Sequence, residues 1–153
     1  MVSEVAASAG YEHDSGLKGD VMLLAKAFGF WLIMLLAAFI NGGIREMLIV
    51  PRVGDQIGHV LGVIGLSSAV FVIAYFFVKA LGILPSSTLL LVGLFWLVLS
   101  LLFEFGFFHY VMHEPWEKLL ADYNVFRGRL LIVVWLTTLF SPLMCGMLST
   151  GQS

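Results

Sequence analysis

Long apolar runs separated by shorter polar stretches dominate the pattern of this chain. A helix that crosses the hydrocarbon core of a bilayer needs about 20 mostly apolar residues. Four segments reach that length: 21–40, 57–78, 85–108 and 130–148. They lack the apolar–polar alternation of a membrane β-barrel, so the pattern favours helices. The sequence therefore predicts an all-α integral membrane protein with four transmembrane helices, TM1 to TM4 in chain order.

The connections between these helices differ in length and polarity. Residues 81–88 contain a glycine and a proline and predict a tight turn between TM2 and TM3. Residues 41–56 and 109–128 are longer, and we expect a helical turn in the first to end before Pro51. Within the second, residues 115–123 begin with a proline and have one apolar face, which predicts an amphipathic helix in the membrane surface. The predicted fold is an antiparallel four-helix transmembrane bundle with this short interfacial helix between TM3 and TM4.

Composition supports the membrane assignment. The chain has 153 residues, of which 60% are hydrophobic and 12% charged, and its mean hydropathy is +1.00. Soluble domains contain about 25% charged residues, so the composition excludes a soluble enzyme and a disordered regulator. The single cysteine, Cys145, excludes an intrachain disulfide. The net charge of −2 and the absence of a dense basic patch in the sequence give no indication of a nucleic-acid partner.

The termini and the basic residues predict an orientation. Residues 1–20 form a polar stretch that we expect to be a solvated, partly disordered tail, and residues 149–153 form a short second tail. The first tail is acidic, unlike the start of a cleaved signal peptide. Four spans place both termini on one side, where three basic residues fall, whereas the long loops carry five. The loops 41–56 and 109–128 are therefore expected to be cytoplasmic and both termini outside, in a bacterial-type inner membrane or a plasma membrane.

Small residues and tryptophans indicate how the helices pack. One face of TM2 carries a stripe of small residues at spacings of four, three and four: Gly58, Gly62, Gly65 and Ala69. Such a stripe lets helix backbones approach closely. Two interpretations stay open, namely packing within the bundle and an interface with a second copy or another subunit. We interpret three tryptophans as lipid-facing or packing residues: Trp31, Trp96 and Trp135.

The polar residues at membrane depth gather at one face of the predicted bundle. Glu104 lies about 7 Å inside the end of TM3, where a carboxylate must be paired, protonated or exposed to water. The same face holds five further polar residues: Asn41, Arg45, Glu46, His59 and Arg129. One interpretation is a fixed salt bridge of Glu104 with Arg129 or Arg45 that locks helix ends together. The other is a polar cavity that binds a ligand, an ion or a proton.

Histidines provide only weak indications of a metal or a haem. His109 and His113 are four residues apart, a spacing that can present two imidazoles to one metal ion on a helix. The sequence offers no convincing third ligand, so we favour interfacial polar residues. His59 and His109 are the one candidate pair for a haem between the spans, and this interpretation is not favoured. We expect no bound metal or cofactor.

The function expected from the sequence is structural. The chain has no Gly-rich phosphate loop, no nucleophile elbow and no paired catalytic carboxylates within a span, so we do not expect an enzyme. We expect a small accessory subunit that packs in the lipid bilayer into a homo-oligomer or with other membrane subunits. The alternative is a small ion- or proton-coupled transporter or channel that uses the polar site around Glu104.

Overall fold

A computed structural model shows helices along nearly all of the chain that it describes, which comprises residues 2–111, 113 and 127–151. Side chains are described for residues 16–107, 109–111, 113, 132–149 and 151. The elements in chain order are α1 (Val2–Ile44), the π-helical turn π1 (Arg45–Ile49), α2 (Val50–Val53), α3 (Asp55–Leu81), α4 (Ser86–Gly106), the π-helical turn π2 (Phe107–Val111) and α5 (Arg127–Thr150). The described part of the chain contains no strand, and four of its helical stretches are long and apolar enough to cross a membrane.

The predicted spans coincide with these helices. Residues 57–78 fall within α3 and residues 130–148 within α5. Residues 85–108 fall within α4 and π2, except that Pro85 caps the start of the helix. Four membrane-length helices are therefore confirmed. The predicted interfacial helix at 115–123 lies outside the described residues.

The first helix is longer than the sequence predicts. Residues 21–40 lie in α1, but this helix already begins at Val2 and so includes most of the segment that we expected to be a solvated tail. Several alanines and glutamates in residues 2–20 have high helix propensity, and a helix that is already nucleated in the apolar segment extends at low cost. The polar composition of this segment indicated exposure to solvent but not its backbone conformation.

The connection between α1 and α3 also differs from expectation. The chain remains helical past Pro51, which lies in the first turn of α2, where a missing backbone N–H is tolerated. The guanidinium of Arg52 donates a hydrogen bond of 2.6 Å to the carbonyl oxygen of Leu48 in π1. Helix α2 ends at Val53 and is followed by Gly54, whose φ of 84° favours glycine. The expectation that the helix ends before Pro51 is therefore wrong.

The connection between α3 and α4 is the tight turn predicted over residues 81–88. Gly82 adopts a φ of 80°, and its N–H donates a hydrogen bond of 2.9 Å to the carbonyl oxygen of Val78. Helix α4 begins only a few residues later, at Ser86. The turn therefore uses the glycine conformation that a side chain would disfavour.

Aromatic side chains occupy the centre of the core. Trp96 of α4 and Phe77 of α3 are fully buried, and their ring centroids are 5.0 Å apart in an edge-to-face arrangement. Non-aromatic apolar side chains belong to the same buried cluster: Ala27, Met34, Val70, Ala74, Val78, Leu89 and Val92. The core thus receives side chains from α1, α3 and α4, with Cys145 of α5 on the remaining side.

Glycines allow α4 and α5 to approach each other closely. A Cβ atom added to Gly93 would overlap the carbonyl oxygen of Leu139 and lie 2.9 Å from its carbonyl carbon. A Cβ atom on Gly146 would overlap the side chain of Leu89. Helix α5 also packs along α3, while α1 packs on α3 and, less extensively, on α4. Close backbone contact through glycine is a common way for helices to associate in lipid.

Candidate functional site

Asn41, near the end of α1, lies against the glycine stripe of α3. Its Nδ2 atom donates a hydrogen bond of 2.9 Å to the carbonyl oxygen of Gly62. A Cβ atom on Gly65 would lie only 3.0 Å from Asn41 Oδ1, so a side chain at this position would crowd the amide. The Asn41 amide therefore has a partner within the chain and ties α1 to α3, as interhelical polar contacts do in membranes.

Two further contacts connect the stripe to the same end of the chain. A Cβ atom on Gly62 would lie 2.9 Å from Arg45 Cδ, and one on Gly58 would lie 2.7 Å from Val50 Cγ2. The glycines thus make room for side chains that leave α1, π1 and α2. This arrangement favours packing within the bundle over an interface with a second copy as the role of these glycines.

Arg45 is held by polar side chains on both sides. Its Nε and Nη2 atoms donate hydrogen bonds of 3.2 and 2.7 Å to Oε1 of Glu46. Its Nη1 atom lies 2.9 Å from Nδ1 of His59 in the second turn of α3. Because a guanidinium group has only donors, the His59 nitrogen is the acceptor in this contact. The Arg45–His59 bond therefore connects π1 to α3.

These two contacts of Arg45 differ in their expected effect on stability. The side chains of Arg45 and Glu46 are 29% and 59% exposed, and an exposed ion pair between neighbours contributes at most about 1 kcal/mol. The bond with His59 is partly buried and joins two elements that are separated by the turn at Gly54. We therefore attribute the stability of the contact of α1 and π1 with α3 mainly to the His59 and Asn41 hydrogen bonds.

Glu104 has a different partner from those predicted. A side-chain hydrogen bond joins it to Trp135 of α5, and the indole N–H is necessarily the donor. Arg45, one of the two cations expected to pair with Glu104, contacts Glu46 and His59 instead. The side chain of Arg129, the other expected cation, lies outside the described residues.

The hydrogen bonds of the described residues divide the predicted polar cluster into two parts. The first is the hairpin cluster, which consists of Asn41, Arg45, Glu46 and His59 and connects α1 and π1 to α3. The second is the Glu104–Trp135 pair, which connects α4 to α5. Both parts bring polar atoms of different helical elements together.

The hydrogen bonds donated by tryptophan indoles are not among the contacts predicted from the sequence. Besides Trp135, Trp31 Nε1 donates to Ser100 Oγ at 3.1 Å and Trp96 Nε1 donates to the Ala27 carbonyl oxygen at 2.8 Å. Three tryptophans thus link helices through hydrogen bonds as well as through packing. The signal was present in the sequence, because an indole N–H in hydrocarbon requires an acceptor and Ser100 lies within a span.

The candidate metal ligands do not share a regular helix face. His109 lies in π2, and His113 lies beyond the end of that turn with a φ of 53°. The predicted spacing of four residues along one α-helix is therefore not realised. Among the residues that the structure describes, no group of three or more His, Cys, Asp or Glu side chains could hold a metal ion. The metal hypothesis gains no support from this geometry.

Comparison with known proteins adds no assignment to this geometry. No family model, no curated protein and no solved structure matches the chain.

Proposed function

We propose that the chain is a structural or accessory subunit of a membrane complex, folded as an antiparallel four-helix transmembrane bundle. Contacts between α1 and α3 support the antiparallel arrangement, because residues later in α1 contact residues earlier in α3. Phe30 contacts Phe77, whereas Asn41, further along α1, contacts Gly62. The glycine contacts of α4 and α5 follow the same order, from Leu89–Gly146 to Gly93–Leu139.

The main support for a structural role comes from the hydrogen bonds that the polar side chains of the predicted cluster make. Asn41 and Arg45 bond to α3, and Glu104 bonds to Trp135. In each case the partner belongs to a different element of the same chain. Polar side chains in membrane proteins often hydrogen-bond across helices in this way. These contacts therefore support a structural role.

The outer surface supports association with other membrane helices. Large apolar side chains are exposed on all four long helices, for example Leu36, Ile64, Leu91 and Met144. A contiguous apolar surface of this kind requires either lipid or further apolar protein around it. We propose that part of it binds a second copy of the chain or other membrane subunits. We also propose that both termini lie on the outer side of the membrane, opposite the cytoplasm, and that the loops 41–56 and 109–128 lie in the cytoplasm.

The test is the state of the full chain after extraction into native lipid nanodiscs. Native mass spectrometry is expected to show a defined assembly of several copies or a constant set of other subunits. Tryptophan substitutions at the exposed positions Leu36, Ile64 and Leu91, one at a time, identify the face involved. At least one variant should release the single chain without loss of helical content, and the others serve as matched controls. Single copies of the wild-type chain, with no partner, would refute the proposal.

One observation favours a second candidate function, a small proton- or cation-coupled transporter. Glu104 is a half-buried carboxyl group within a span, and its described hydrogen-bond partner is a neutral indole rather than a cation. Ionisable residues in such positions often mark transport pathways. Proteoliposomes containing the wild type, Glu104→Gln and Trp135→Phe separate the two functions. Transport requires flux in the wild type, loss of flux in Glu104→Gln and retention of some flux in Trp135→Phe, which keeps the carboxyl group. Absence of flux in the wild type excludes this candidate.

A further inference from the structure

A hydrogen bond between Arg45 and His59 joins the π-helical turn to α3. The two nitrogen atoms are 2.9 Å apart, and the contact is partly buried. We propose that this contact is a pH-sensitive latch, which holds π1 against α3 while His59 is neutral and releases it when His59 is protonated. The proposal does not depend on whether the chain is an accessory subunit or a transporter.

The chemistry of the two side chains fixes the protonation state of the closed latch. All nitrogen-bound hydrogens of a guanidinium group are donors, and the group has no acceptor. Nδ1 of His59 must therefore carry a lone pair, which places the proton of the neutral imidazole on Nε2. Protonation adds an N–H group at Nδ1 that points at the Arg45 N–H, so two donors and two positive charges would face each other. Histidine is the side chain that ordinarily changes charge between about pH 5 and pH 8.

The charged groups around the latch give Arg45 a partner after release. Among the side chains that the structure describes, the elements packed against this turn of α3 contribute, with α3 itself, these charged groups: Arg45 and Glu46 from π1, Arg52 from α2 and Asp55 from α3. The polar group from α1 is Asn41, and residues 132–149 of α5 include no charged side chain. Since Glu46 accepts two hydrogen bonds from Arg45, the guanidinium stays paired within π1 when His59 no longer accepts its bond.

The backbone beside the latch permits this release. Gly54 separates α2 from α3 with a φ of 84°, so the two helical segments meet at a residue without a side chain. The aliphatic part of Arg45 lies on Gly62, where a Cβ atom would come within 2.9 Å of Arg45 Cδ. Loss of the His59 bond therefore also loosens the contact between the Arg45 stem and the glycine stripe. The expected result is a looser junction between π1 and the first turns of α3.

The experiment uses the full chain in detergent micelles or nanodiscs. Nitrogen-15 spectra of histidine-labelled protein, with the His59 signals identified by their absence in His59→Gln, report its tautomer. Near pH 8 we expect an unprotonated Nδ1 and a protonated Nε2. A protonated Nδ1 at this pH would overturn the proposal, and this readout requires only that the wild type folds.

Acidification supplies the second readout. Between about pH 8 and pH 5, the protection of residues 45–60 from hydrogen exchange, measured relative to the intrinsic exchange rate at each pH, should fall about tenfold in the wild type, which corresponds to about 1.4 kcal/mol. His59→Gln is the matched control, because its side-chain carbonyl oxygen can still accept from Arg45 but does not titrate. This variant should keep the high protection at both pH values, whereas His59→Ala should show the low protection at both. An equal response of the wild type and His59→Gln to acidification, or no response of the wild type, would overturn the latch.

Discussion

The contact between α4 and α5 at Gly93 gives the sharpest prediction about stability. We expect Gly93→Ala to destabilise the chain, because the new Cβ atom would meet backbone rather than a flexible side chain. It would lie 2.9 Å from the carbonyl carbon and 3.3 Å from the Cα atom of Leu139. Carbon atoms in ordinary contact are about 3.5–4.0 Å apart, so α4 and α5 would have to separate by several tenths of an ångström or more.

Two opposing effects set the magnitude of this change. Adding a methyl group to a closely packed contact costs about 1–3 kcal/mol. Alanine in place of glycine within a helix recovers up to about 1 kcal/mol through its higher helix propensity. Because the new methyl group meets backbone atoms of Leu139, we expect the packing cost in the upper part of this range, about 2–3 kcal/mol. The net expectation for Gly93→Ala is then a loss of about 1–2 kcal/mol, which lowers the midpoint of thermal unfolding by roughly 2–8 °C for a chain of this size.

The matched control is Gly29→Ala in α1. No atom lies within 4 Å of the position that its Cβ atom would occupy, so only the propensity effect remains. This variant is expected to be neutral or more stable by up to about 1 kcal/mol. Circular dichroism during heating in detergent measures both variants against the wild type. If Gly93→Ala unfolds at the same temperature as Gly29→Ala, or at a higher one, the inferred backbone contact with Leu139 is wrong.

Further substitutions test the other helix contacts by the same unfolding assay. Gly62→Ala should lower the free energy of unfolding by less than about 1 kcal/mol, because the neighbouring atom belongs to the flexible stem of Arg45, which can move aside. A larger loss than that of Gly93→Ala would contradict this reasoning. Trp96→Phe should lower the free energy of unfolding by about 1 kcal/mol or more, because it removes a 2.8 Å hydrogen bond to a main-chain carbonyl oxygen of α1. An unchanged unfolding midpoint would show that this bond does not contribute to stability. A double-mutant cycle with Trp31→Phe and Ser100→Ala should give a coupling of about 0.6 kcal/mol, the average for interhelical hydrogen bonds in a membrane, whereas strictly additive effects would argue against their bond.

The four membrane-length helices could be predicted from the sequence because their signal is local. A run of about 20 apolar residues identifies a span whatever the rest of the chain does. The turn before α4 was predictable for the same reason, since Gly82 and Pro85 restrict the backbone at their own positions. The continuation of the helix through Pro51 could not be predicted in this way. It depends on the π-helical turn before Pro51 and on the Arg52 side chain, which bonds to a carbonyl group of that turn.

The polar partners were harder to predict because they depend on the rotation of each helix about its axis. The sequence predicts Glu104 and Arg45 at the same face of the membrane, yet Arg45 contacts Glu46 and His59 while Glu104 bonds to Trp135. Depth follows from position along a span, whereas the choice of neighbour requires the packing order of the helices. The close contact along the glycine stripe that includes Gly62 was easier to predict, since a row of glycines indicates which face of a helix a neighbour approaches closely.

The three indole hydrogen bonds and the glycine contacts have a common physical basis. In lipid, helices gain little from burying apolar surface against each other, so specificity must come from close packing and from polar groups that need a partner. Glycines lie where a neighbouring element approaches closely, at Gly93 and along the stripe that includes Gly62. Where tryptophan side chains fill the space between helices, their indole N–H groups donate hydrogen bonds to the neighbouring helix. The Glu104–Trp135 pair follows the same rule. The hydrogen bond of Glu104 with an indole is therefore compatible with a structural role, whereas measured flux that depends on the carboxyl group would assign Glu104 a role in transport.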